Sequence, residues 1–77
     1  MDIKTWIQNL KDGTVVEIRF WGDITGRIVG EIFSDPITFQ VRMLESSYSI
    51  SISYTRVNQV SIKENGEIRI DLKSTRS

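Results

Sequence analysis

No cysteine and no histidine occur in the 77 residues, and proline occurs once. Without thiols there are no disulfides and no thiolate metal sites, and without imidazoles the commonest general base and a common transition-metal ligand are missing. A cysteine-free chain fits a reducing compartment. The N-terminus has no basic segment leading into an apolar stretch, and no apolar run reaches membrane-spanning length. The expected setting is therefore the cytoplasm, with no membrane partner. Neither sign of charge is in excess, since ten basic and ten acidic residues cancel, and no global field draws the chain to nucleic acid or acidic lipid. Six of the basic residues are arginine, so one face could still gather them. A net charge of zero also limits colloidal repulsion, and a domain this small is expected to bury surface by forming a homo-oligomer.

What is present is alternation. Asp2 is placed to cap a helix over residues 2–12, with Ile3, Trp6, Ile7 and Leu10 at helical spacing and Gly13 as its stop. Trp6 shares that spacing and reads as a packing anchor. From Thr14 the period becomes two: Val16, Ile18 and Phe20 face one side, and Val15, Glu17, Arg19 and Trp21 face the other. Gly22-Asp23 supplies a turn into the longest alternating run, Ile24 to Phe33. There Gly26 and Gly30 fall on the face marked as buried by Ile24, Ile28 and Ile32. Glycine on the buried face of a strand marks a bend or a close backbone approach, so this strand is expected to curl a small barrel shut. Asp35-Pro36 ends it, because proline has no ladder donor.

Ile37, Phe39, Val41 and Met43 alternate next, and then Tyr48, Ile50, Ile52 and Tyr54 oppose Ser49, Ser51 and Ser53. Residues 55–59 break the pattern, which fits one turn of 3₁₀ helix before a short strand through Val60 and Ile62. Asn65-Gly66 signals a two-residue hairpin into Ile68, Ile70 and Leu72, whose strand either closes the barrel or extends an edge. Residues 73–77 form a polar tail. The fold expected over residues 1–72 is mainly β and a single domain. It consists of an N-terminal α-helix followed by a small, strongly bent, five- to six-stranded antiparallel barrel of the Sm-like or SH3-like kind.

No catalytic site can be named. Asp12, Asp23 and Asp35 each adjoin Gly or Pro, which turn formation explains, and none of the nine serines lies in a Gly-x-Ser-x-Gly setting. No phosphate-cradling loop or calcium loop occurs, so neither a cofactor nor a metal is expected. Binding is the better expectation, either by pairing of strand edges or by stacking of bases on aromatic side chains. Trp21 and Phe33 fall on outward faces and are the aromatic contacts to test, whereas Tyr54 belongs with the core positions.

The stretch Val15 to Val41 resembles the first motif of the Sm and Sm-like family, with Trp21-Gly22-Asp23 at the first hairpin, Gly26 early in the second strand and Asp35 at its end. Thr55-Arg56-Val57-Asn58-Gln59-Val60 is similar to the second motif, which in many members reads hydrophobic-Arg-Gly-Asn. Here Val57 stands at the glycine, and Pro36-Ile37-Thr38-Phe39 stands where an asparagine is usual. The resemblance implies a six- or seven-membered ring, made by pairing the fourth strand of one copy with the fifth of the next, and single-stranded RNA held near the pore. It places Asp35, Arg56 and Asn58 at the RNA, with Ile37 or Thr38 where an aromatic often stacks. The alternative is an SH3-like protein-interaction or assembly module, of phage or mobile-element type, that binds no nucleic acid.

Overall fold

In the computed structural model, which describes residues 2–20 and 26–73, Asp2 opens the first element. Its carboxylate accepts the Thr5 backbone N–H at 2.6 Å and caps helix α1, Ile3–Gln8. That hydrogen bond holds the Asp2 carboxyl below its ordinary value. The helix is shorter than the expected 2–12. Asn9 ends it, the Leu10 N–H turns back to the Ile7 carbonyl at 3.0 Å, and Gly13 takes a φ of +90° within the turn that leads to the sheet. A helix of this length is marginal alone, and tertiary contact holds it. Ile7 is fully buried, while Ile3, Trp6 and Leu10 pack against the core, so Trp6 is the anchor its spacing indicated.

Six strands follow: β1 Thr14–Phe20, β2 Gly26–Ser34, β3 Thr38–Met43, β4 Ser49–Ser53, β5 Val57–Ile62 and β6 Ile68–Leu72. A 3₁₀ turn, η1 Tyr54–Arg56, joins β4 to β5, where the broken alternation indicated one. The strands form one sheet in the order β4-β3-β2-β1-β6-β5, curled into a half-barrel. The mainly β architecture behind an N-terminal helix is thus the one read from the sequence, with two differences. One ladder, β1 with β6, is parallel. The sheet is also not closed on itself, since β4 and β5 are both edges. β6 neither closes the barrel nor extends its edge but lies between β1 and β5. The hairpin from β5 lays β6 antiparallel beside it, and Ile70, Asp71 and Leu72 are buried in that interior position.

The core is the inward set of each strand: Val16 and Ile18, Ile32, Phe39 and Val41, Ile52, Val57, Ile70 and Leu72, joined by Ile7 and Tyr54. Gly30 allows β3 to come close. A Cβ there would overlap the Arg42 carbonyl oxygen and lie 2.8 Å from Val41 Cγ1. Gly26 is different, because among the described residues a Cβ would meet only the Phe20 ring at 4.0 Å. The close approach of β2 to β3 therefore requires glycine at position 30.

Local readings differ in three places. Ile37 lies before β3 and is 78% exposed, because the Pro36 turn carries it out of the ladder. Tyr48 precedes β4 and is 74% exposed, so it does not share the Ile50 and Ile52 environment. The β5–β6 connection spans five residues, Lys63 to Glu67, and not two: the Lys63 N–H reaches the Glu67 carbonyl at 2.7 Å, and Gly66 adopts a φ of +87°. The turn at Gly22-Asp23, Trp21 and Ile24 fall outside the described residues, as do Ser74 to Ser77.

Candidate nucleic-acid interface

Asp35 sits between β2 and β3, where its backbone N–H donates to the Thr38 carbonyl at 2.9 Å and closes a tight turn around Pro36-Ile37. Two elements distant in sequence fasten that turn. The Tyr54 hydroxyl, from η1, donates to the Asp35 carbonyl at 2.7 Å, and the Gln8 amide, from α1, reaches the same oxygen at 3.4 Å. The Asp35 carboxylate accepts from the Gln40 amide at 3.3 Å. Tyr54 is itself buried, with its ring 5.5 Å from that of Phe39 and the Lys4 ammonium 5.8 Å from its centroid. Helix, β2–β3 turn and 3₁₀ turn are thereby fixed to one another. The sequence carries no signal for Lys4, Gln8 or Gln40 here, because their role depends on where α1 docks and on a cross-strand neighbour.

Of the residues singled out from the sequence, Asp35, Ile37 and Thr38 come together with η1. Thr38 pairs with Ser53, the residue that caps η1. Arg56 closes η1 and is exposed, while its backbone carbonyl accepts the Lys73 N–H at 2.7 Å. Asn58 follows at an irregularity: Val57 pairs with Leu72 and Gln59 with Asp71, so Asn58 is the extra residue of a bulge on the β5 edge. An exposed arginine on a fastened turn, beside a bulged asparagine, is a geometry in which a base can stack and a phosphate can be bonded.

Phe33 belongs elsewhere. It is half-buried on the outer face of β2, and the Arg42 guanidinium lies 5.3 Å from its ring centre and also pairs with Glu31 at 2.7 Å. One face of its ring therefore lies against a cation. Trp21 lies outside the described residues.

The outer face of β1 and β6 holds a feature that alternation alone does not show. Glu17, set by alternation on the face opposite Val16 and Ile18, is 4% exposed and meets Arg27 at 3.3 Å and Lys63 at 3.5 Å. Asp71 is similarly buried, with Arg69 at 3.5 Å and the Gln59 amide at 3.4 Å. Both carboxylates lie beneath longer basic side chains, and the ladder partners of β1 and β6 bring those side chains over them. A shallow depression lined by Ser61, Lys63, Asn65 and Arg69 adjoins this network and includes none of Asp35, Ile37, Thr38, Arg56 and Asn58.

Among the described residues, no group of three or more acidic side chains is placed to hold a metal ion, and no helix is long and apolar enough to cross a membrane. No family model matches the chain, and no curated protein or solved structure is significantly similar to it.

Proposed function

We propose that the chain is a non-enzymatic binding module that assembles through the edges of its sheet and takes single-stranded RNA at the η1 end. The observation that carries this reading is the character of the edges. Neither β4 (Ser-Ile-Ser-Ile-Ser) nor β5 (Val-Asn-Gln-Val-Ser-Ile) contains a charged residue or proline. Charge and proline are the usual means by which edge strands avoid pairing with other chains. Support for RNA comes from Arg56, exposed on a turn that Tyr54 and Lys73 hold in place, with Asn58 beside it. These are also the residues that the Sm-like resemblance implies. The second reading, a protein-interaction or assembly module without nucleic acid, is favoured by the zero net charge and by the cation already covering Phe33.

Light scattering of the purified protein, with and without a short U-rich or A-rich RNA, tests both halves. An assembled species that binds RNA more weakly as salt rises supports the proposal. Arg56→Ala should then weaken binding about tenfold, the loss of one stacking contact, without changing the mass of the assembly. An assembled species with no RNA affinity at low salt leaves the protein-interaction reading. A monomer with no RNA affinity ends the proposal, in assembly and in RNA binding alike, and leaves only a module that binds a different protein.

A further inference from the structure

The sequence of β4, Ser49-Ile50-Ser51-Ile52-Ser53, reads the same in both directions, and it lies on an open edge. The backbone pattern fixes which of its groups are open. The Met43 N–H donates to the Tyr48 carbonyl at 3.0 Å, which makes Met43 and Tyr48 a hydrogen-bonded pair. Such pairs alternate along an antiparallel ladder. In the regular register that follows, Val41 with Ile50 and Phe39 with Ile52 are therefore the bonded pairs, and the N–H and C=O groups of Ser49, Ser51 and Ser53 point away from β3.

We infer that β4 pairs antiparallel with β4 of a second copy across a two-fold axis at Ser51. Ser51 then lies opposite Ser51 of the partner, Ser49 opposite Ser53, and Ile50 opposite Ile52. Every outward backbone group of the strand meets a complementary group, the isoleucines meet on the core face, and the serines meet on the outer face. The other edge fits less well. The Lys63 to Glu67 hydrogen bond sets the same alternation on β5, where the outward backbone groups belong to Val60, which packs against the core, and to Ile62, which shares its face by alternation but is 65% exposed. An antiparallel ladder between β4 and β5 of another copy would set outer-face serines against inner-face apolar side chains. The bulge at Asn58 further shortens the regular part of that edge. The two-fold β4 pair requires neither compromise, and it yields one continuous sheet with an isologous contact.

This inference rests on the self-assembly reading above, and the test separates the two. The chain has no cysteine, so Ser51→Cys introduces a single thiol. In a hydrogen-bonded antiparallel pair the facing Cα atoms are about 5.5 Å apart, within disulfide range. Under mild oxidation Ser51→Cys should pass from monomer to disulfide-linked dimer on a non-reducing gel. Ser49→Cys, whose thiol would face Ser53, should remain largely monomeric on the gel, and the double variant Ser49→Cys with Ser53→Cys should cross-link again. Light scattering of the unmodified protein should give the mass of two chains. A mass of six or seven chains without cross-linking at Ser51 would overturn the two-fold pairing and leave self-assembly standing. A monomer that cross-links no better at Ser51 than at Ser49 would overturn both.

Discussion

At the scale of single residues, the two glycines of β2 have different roles. Alternation places Gly26 and Gly30 on the same face, and the structure agrees, but only Gly30 is in contact with a neighbouring backbone. A methyl group at Gly30 has no room beside the Arg42 carbonyl and Val41, whereas among the described residues one at Gly26 meets nothing nearer than the Phe20 ring at 4.0 Å. Gly30→Ala should therefore cost about 1–3 kcal/mol by overpacking. Gly26→Ala should be neutral or gain up to about 1 kcal/mol by restricting the unfolded chain. Urea denaturation midpoints check the pair, and equal losses at both sites would show that the bend uses them equally. Glu17 marks where period two stops being informative. Alternation correctly set it on the face opposite the core, yet Arg27 and Lys63 come over it from β2 and from the end of β5, and it ends buried. Which long side chains fold over a carboxylate depends on cross-strand register, and register is not written in one strand's own sequence.

The elements themselves were the most legible level, because each is specified by signals a few residues apart. The Asp2 cap, the 3₁₀ turn after Ser53 and the paired serine and isoleucine faces of β4 all rest on contacts within a few positions. Element ends were less legible, as the stop of α1 at Gln8 shows: four more residues and Gly13 deliver the chain to β1. The cap also gives α1 a dependence on acid. Asp2 titrates below its ordinary value of 3.8 because the Thr5 N–H stabilises the carboxylate in the folded state. A depressed folded value means that the contribution is complete above the unfolded value and is lost as pH falls through the folded one. Asp2→Asn keeps a side-chain acceptor that cannot titrate. Its melting temperature should therefore fall less than that of the parent as pH is lowered from about 6 to about 2. Asp2→Ala should be destabilised at neutral pH and show the same flattened dependence. Parallel pH curves for parent and Asp2→Asn would remove the cap from any role in acid sensitivity.

For the whole molecule, the fold class was readable because helix and strand periods are distinct, but the place of β6 was not. Hairpin chemistry at Asn65-Gly66 requires only that β6 lie beside β5; that its other neighbour is β1, in parallel, follows from the curl of the sheet. The candidate site was legible in part for a related reason. Arg56 and Asn58 could be found by motif, whereas the clamp of Tyr54 and Gln8 on Asp35 exists only once three distant elements have docked. The two open edges are likewise a property of the whole sheet, and they make a prediction that depends on the direction of single N–H groups. The N–H of Ser51 points away from β3, while that of Ile52 donates within the β3–β4 ladder. Proline is tolerated on an edge strand where the lost N–H faces outward, and it disrupts the strand where the N–H is bonded. Ser51→Pro should thus fold, with its far-ultraviolet circular dichroism little changed, and should be monomeric by light scattering whatever strand β4 pairs with in the assembly. Ile52→Pro removes a ladder bond next to Phe39 and a fully packed side chain, so it should lose several kcal/mol or fail to fold. A Ser51→Pro protein that folds and still assembles would move the contact to β5 or off the sheet edges altogether.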